Sequence, residues 1–258
     1  MILNSIEQGE GPPLILLHGL FGTAKNLGAV ARGLSAQARV ISMDLRNHGD
    51  SPHAPDMAYT TMAADIAETM NAKGIKAAPV VGHSMGGKVA MTLALTQPER
   101  IEKLVVMDIA PITYDHDYEG YVEAMQAIPL NNEVNRKAAN AFLEAKIPDA
   151  ALRVFLLSNL VLGDNPHWRF GLSEIGGAMH TLLQWTDPVR MDPVAEKPFK
   201  NPVLFLRGSD SDYILPESYA RIEAVFPGAK IQTIENAAHW IHAHQPQAVI
   251  AALQKFLF

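Results

Sequence analysis

The sequence predicts an α/β fold with a mostly parallel central sheet flanked by helices, and three observations predict it. Short runs rich in Val, Ile and Leu recur at 14–18, 39–44, 79–82, 103–108, 202–207 and 230–234, with helical periodicity between them. Most of these runs lack strict polar alternation, as strands covered by helices on both faces do. The rhythm then breaks between 108 and 202, where no convincing strand appears but several helical segments do.

Taken in order, the strand at 14–18 leads to a helix at 26–34, that at 39–44 to 60–73, and that at 79–82 to 85–97. After 103–108 and the break, 202–207 leads to a helix at 216–226 and 230–234 to one at 247–256. Parallel neighbours need a crossover, so this alternation describes a doubly wound sheet. Within the break, helices are expected at 118–127, 136–145, 150–162 and 175–185. A compact domain does not carry so long a structureless loop. The segment is therefore read as a helical insertion, a lid at the carboxyl ends of the strands where ligand crevices form. The division is 1–112 for the first part of the core, 113–198 for the lid and 199–258 for the second part.

A chain of 258 residues, 48% apolar and 19% charged, suits one globular domain with a full core. A formal net charge of -6 with no basic run argues against nucleic acid, whose phosphates call for clustered Lys and Arg. The absence of cysteine excludes disulfides, thiolate catalysis and zinc-thiolate sites. Residues 1–13 lack the pattern of a secretory signal, and no apolar run approaches the roughly 20 residues of a membrane span. A cytoplasmic protein without a membrane span is expected.

The strongest chemical signal is Gly82-His83-Ser84-Met85-Gly86-Gly87, preceded by apolar Val80 and Val81 and followed by a helical run. G-x-S-x-G arises often by chance, but here it joins a strand to a helix, the context its mechanics require. Small residues on both sides let the chain turn sharply and expose the Ser84 hydroxyl above the sheet. The helix N-terminus then faces developing negative charge, and the Met85 N–H is a candidate donor to it.

A serine hydroxyl needs a base to act as a nucleophile. Of ten histidines, His239 follows the last strand and precedes the last helix, on the edge of the sheet that carries Ser84. His242 and His244 lie at the start of the helical segment and are expected at the surface. With no carboxylate at ligand spacing, the three histidines are not read as a metal site. His18-Gly19-Leu20-Phe21-Gly22 follows the first strand, where glycines let backbone N–H groups turn toward the site. Leu20 N–H is the expected second oxyanion donor beside Met85, with Phe21 as the fallback. In the insertion, Tyr114, Tyr118, Tyr121, Phe155, Leu156, Met179, Leu183 and Trp185 are candidates for an apolar pocket, though large apolar residues at helical spacing usually pack.

On these motifs the sequence resembles the α/β hydrolases over its whole core. That resemblance implies a helical lid between strands 6 and 7 as that family counts them, and a triad with the chain order Ser, acid, His. Asp44-Leu45-Arg46-Asn47-His48-Gly49-Asp50-Ser51 resembles a loop whose role in the family is structural, so no catalytic part is assigned to it. More narrowly, Arg46-Asn47-His48-Gly49, Val106-Met107-Asp108-Ile109-Ala110-Pro111 and Ala238-His239-Trp240-Ile241-His242-Ala243 are similar to the YbfF-type esterases. This implies carboxylic esters of small to medium acyl groups, and acyl-CoA thioesters, as substrates, with no cofactor. The acid is open between two places. Most relatives carry it three residues after the glycine ending the seventh strand, but that position here is Ser211, flanked by Asp210 and Asp212. Asp108, at the tip of the preceding strand, is a site other members use, YbfF-type esterases among them, and it is favoured. Other chemistry on the scaffold, such as carbon-carbon bond hydrolysis, lactone opening or perhydrolysis, and a non-catalytic binding role are the alternatives. Dehalogenation is disfavoured, since it needs a carboxylate where Ser84 stands.

Overall fold

The computed structural model of the chain describes residues 1–116, 118–185 and 199–258. The stretch 186–198, the end of the expected lid, lies outside the described residues. The strands are β1 (Ser5–Gln8), β2 (Pro13–Leu17), β3 (Arg39–Met43), β4 (Ala78–His83), β5 (Ile101–Met107), β6 (Leu160–Val161), β7 (His167–Trp168), β8 (Val203–Gly208) and β9 (Lys230–Ile234). Seven of them form one sheet in the order β1-β3-β2-β4-β5-β8-β9. Only the β1–β3 pair is antiparallel; the other neighbours run parallel.

The helices between β2 and β5 are α1 (Gly28–Leu34), α2 (Tyr59–Ala72) and α3 (Met85–Thr96). Those after β8 are α9 (Tyr219–Val225), α10 (Ile241–His244) and α11 (Pro246–Leu257). Successive strand residues serve opposite faces of the sheet. Leu14, Leu16, Val40, Val81 and Val105 pack with α1 and α11, while Ile15, Leu17, Ile41, Val80 and Val106 pack with α2 and α3. Because both faces are covered, neither can be polar, which is why the strands read as continuous apolar runs. Each such side chain contributes roughly 1.5–3 kcal/mol through burial.

Between β5 and β8 the chain forms α4 (Glu119–Gln126), α5 (Arg136–Glu144), α6 (Ala150–Leu157), the β6–β7 hairpin, α7 (Leu172–Gly177) and α8 (Met179–Leu183). The insertion falls between β5 and β8, the strands ending beside Asp108 and at Gly208, which the family count numbers 6 and 7. Three features differ from the expectation. The edge strand β1 has the sequence SIEQ, half-buried and mostly polar, so no apolar run announces it. The helix expected over 150–162 stops at Leu157 and gives way to the hairpin. The helix expected over 175–185 is two short ones, broken where Gly176 and Gly177 weaken helical continuity.

Parallel strands in register bring their carboxyl ends to one edge. His83 pairs with Met107, Met107 with Leu206, and Gly208 with Ile234. The ladder runs one step further: the Ser84 N–H donates to Met107 O at 3.0 Å and the Asp108 N–H to Leu206 O at 2.8 Å. The loops leaving β2, β4, β5, β8 and β9 therefore open side by side.

Candidate active site

Ser84 joins β4 to α3 with φ 52° and ψ -120°, a conformation non-glycine residues rarely adopt. The glycines around it make the turn possible. A Cβ on Gly82 would lie 2.2 Å from the Gly86 carbonyl oxygen, and one on Gly86 2.5 Å from the His18 carbonyl oxygen. Phe21 (φ 59°) and Asp108 (φ 53°) are also left-handed, so the loops after β2, β4 and β5 each hold a strained residue at this edge.

The three expected side chains meet. Ser84 Oγ lies 3.0 Å from His239 Nε2, and His239 Nδ1 lies 2.9 Å from Asp108 Oδ2. With the proton on Nδ1 donated to the carboxylate, Nε2 is left to accept the Ser84 hydroxyl hydrogen. Asp108 is fully buried, and its charge is met by the Gly208 N–H at 2.8 Å on Oδ1 and by the Ser211 hydroxyl on Oδ2. Asp210 and Asp212 are exposed and point elsewhere: Asp210 accepts from Ser209 Oγ, and Asp212 faces the outer surface beside His116 and Lys146. The loop after β8 thus meets Asp108 through Ser211 instead of supplying a carboxylate to His239.

The imidazole of His239 is held from two further sides. The Tyr213 ring stacks on it at 3.6 Å between centroids and 15° between planes. His83 Nε2 donates to the His239 carbonyl oxygen at 3.0 Å, with the two rings 4.9 Å apart. Burial drives the Tyr213 phenol well above its ordinary range, so it stays neutral beside the imidazole. Sequence reasoning missed Tyr213 and His83, whose roles depend on ring placement rather than on a motif.

The Leu20 and Met85 N–H groups have no protein acceptor among the described residues, and both residues border the space in front of Ser84. The Phe21 N–H, in contrast, donates to His48 Nε2 at 3.1 Å, which removes the fallback donor. His242 is a correction: it is buried rather than superficial, edge-on to His83 at 4.5 Å, while His244 is exposed and its Nδ1 accepts the Ala238 N–H. Among the described residues no group of three or more His, Asp or Glu side chains is set to hold a metal ion.

Two cavities meet at Ser84. The larger, about 320 Å³, is lined by His239, Tyr213, Trp240, Phe155, Tyr118 and Tyr121 among others. The smaller, about 40 Å³, is closed by Tyr59, Tyr114, Met179, Leu182, Leu183 and Lys88. Of the expected pocket residues, Leu156 is buried packing and Trp185 lines neither cavity. Lys88 was not expected there. Its ammonium donates to the Leu183 and Gln184 carbonyls, both at 2.9 Å, tying α3 to the end of α8, and burial pulls it down to about 7.

The fold, the edge geometry and the strand-turn-helix at Ser84 agree with the match to the alpha/beta hydrolase fold family over residues 12–246. The chain belongs to this family. This α/β hydrolase is 39% identical to mouse sn-1-specific diacylglycerol lipase ABHD11 over 95% of its own length and 81% of the relative's. It is 35% identical to Escherichia coli esterase YbfF, over 97% and 95% of the two chains. A solved marine microorganism esterase superposes with a TM-score of 0.93 at 34% identity, covering 99% of each chain. Among the described residues no helix of this α/β hydrolase is long and apolar enough to cross a membrane.

Buried histidines give the hydrolase a pH signature. Burial, reinforced by neighbouring histidine charges, holds His48 down to about 3 and His242 to about 4, and pushes His83 well below its ordinary value. In the unfolded chain they take up protons near pH 6.5, so the unfolded state binds more protons and stability falls as pH drops through 6.5 toward the folded values. His48 and His242 each lower stability at pH 5.5 relative to pH above 7.5 by on the order of 1 kcal/mol, and His83 acts in the same direction. Urea unfolding at pH 7.5 and 5.5 is expected to show a lower midpoint at 5.5, and equal or greater stability there would contradict the neutral assignment.

Proposed function

We propose that this chain is a serine-dependent carboxylic-ester hydrolase working through a covalent acyl-Ser84 intermediate. The observation that carries the reading is the continuous hydrogen-bonded line Ser84, His239, Asp108 at the meeting of two cavities. Ser84 Oγ attacks the substrate carbonyl carbon while its proton passes to His239 Nε2, and the carbonyl electron pair moves onto oxygen. The Leu20 and Met85 N–H groups receive that oxyanion, each donor worth roughly 3–4 kcal/mol in the transition state. Collapse breaks the bond to the alcohol, which takes the proton back from His239. Water then repeats the sequence on the acyl-enzyme, with His239 as base, and frees the acid. Asp108 keeps the Nδ1 proton in place and stabilises the imidazolium.

Because the leaving alcohol takes its proton from His239, it belongs on the side of the larger cavity, which His239 lines. The acyl group then falls to the smaller one, beside Leu20 and Met85, which favours small to medium acyl chains. In this reading the helical insertion is a lid that shapes both cavities. Acyl-CoA thioesters enter the same reaction, and the names of the relatives, esterase and diacylglycerol lipase, support ester substrates.

The test is labelling and turnover with purified protein. Wild type is expected to react with a fluorophosphonate probe and Ser84→Ala is not; p-nitrophenyl esters should be cleaved, with rates falling as the acyl chain lengthens. An unlabelled wild type would point to a binding protein. Fast cleavage of a diketone panel beside negligible ester or acyl-CoA turnover would point to carbon-carbon hydrolysis.

A further inference from the structure

We propose that Asn159, from the insertion, and His48, from the core, are positioning residues that fix the oxyanion loop by holding Phe21 from both sides. This rests on Ser84 acting as the nucleophile.

Gly19 to Gly22 form a β-turn closed by the Gly22 N–H on Gly19 O at 3.0 Å. Its third residue is Phe21, at φ 59°. That position with positive φ suits glycine or asparagine, and a bulky residue is strained there and persists only where its surroundings enforce it. Two tethers enforce it. The Phe21 N–H donates to His48 Nε2 at 3.1 Å, and the Phe21 carbonyl accepts from Asn159 Nδ2 at 2.9 Å. His48 is itself fixed by donating Nδ1–H to Arg46 O at 2.9 Å. Arg46 in turn pairs with Asp65 of α2 through two hydrogen bonds of 2.6 and 2.9 Å.

Asn159 is almost fully buried, 4% exposed, and lies 138 residues from Phe21 in the chain. A buried amide is costly unless it is hydrogen-bonded, whereas a leucine would fill the space with no polar group to satisfy. The insertion is docked around this contact. Phe170 packs on Phe21 at 5.6 Å and stacks on Trp168 at 5.3 Å, while the Gly171 N–H donates to Asn47 O at 2.8 Å. The β6–β7 hairpin and its exit therefore brace the loop that carries the Leu20 N–H. Loss of one tether lets the turn relax and costs the oxyanion donors their fixed direction. On this view the insertion acts on the transition state as well as enclosing substrate.

The test compares Asn159→Leu with wild type on an ester and on its thionoester, in which sulfur replaces the carbonyl oxygen and accepts hydrogen bonds poorly. Complete removal of one oxyanion donor costs about 10²–10³ in kcat, so a misdirected donor should cost roughly 10- to 100-fold. The expected result is that loss in kcat for the ester, unchanged KM, and a matching fall in the preference for ester over thionoester. Asn159→Ser, a smaller polar change, should move both quantities in the same direction and serves if Asn159→Leu does not fold. An unchanged ester-to-thionoester preference in folded variants, whether or not both rates fall together, would make Asn159 structural and overturn the proposal. A wild type that cleaves neither substrate would end the Ser84 reading and this one with it.

Discussion

Ser84→Ala should lower kcat for ester hydrolysis by about 10⁶ while the protein stays folded. The expectation follows from the absence of a substitute. Among the described residues no hydroxyl other than Ser84 Oγ, at 3.0 Å, is hydrogen-bonded to His239 Nε2. Alanine removes one small polar atom from a residue that is only 9% exposed and leaves the turn's backbone bonds, such as Gly87 N–H to Ser84 O at 2.8 Å, intact. Urea unfolding should therefore change little. His239→Ala is expected to cost about as much, and the double variant no more than either alone, because nucleophile and base act as one unit. Single-variant losses that multiply in the double variant would mean the two side chains work independently. Retention of most of the activity in Ser84→Ala would remove the nucleophile assignment altogether.

Much of this arrangement could be read from residue patterns, and the parts that could not share a cause. The strands, the flanking helices and the turn at Ser84 depend on local sequence: apolar runs, periodicity, and glycines where a Cβ has no room. His239 was legible because it follows the last strand, and parallel strands in register deliver their carboxyl ends to one edge. What stayed hidden depends on contacts between distant segments. Ser211 meeting Asp108, Tyr213 stacking on His239 and Asn159 reaching Phe21 each join residues roughly 100 apart or closer to 140, or bring a ring over a ring. His242 is expected at the surface from its place at the start of the helical segment, yet His83 from β4 covers it. The polar strand β1 carries no apolar run to mark it because an edge strand has only part of its surface to bury.

The choice of acid, which the sequence left between two loops, leads to the second large effect. Asp108→Asn should lower kcat by about 10⁴ with little change in KM. Three donors converge on the Asp108 carboxylate: the Gly208 N–H, the Ser211 hydroxyl and His239 Nδ1–H. An asparagine side chain has one acceptor oxygen and one NH₂ group, so it cannot accept from all three. If its oxygen takes the Oδ1 place and keeps the Gly208 bond, the NH₂ group takes the Oδ2 place, faces Ser211 and His239, and holds the imidazole with its proton on Nε2. That nitrogen then points a hydrogen at Ser84 and cannot take one from it. If the oxygen takes the Oδ2 place instead and accepts from His239 and Ser211, the NH₂ group meets the Gly208 N–H, another donor, in a fully buried site, which costs stability. The first outcome suppresses proton transfer from Ser84, the second leaves the imidazolium without a negative charge beside it, and the balance between them is visible as lost rate or lost midpoint in urea. Asp210→Asn and Asp212→Asn, both exposed, should stay near wild type. If Asp212→Asn were as damaging as Asp108→Asn is expected to be, with Asp108→Asn near wild type, the loop after β8 would have to move during catalysis to bring a different carboxylate to His239.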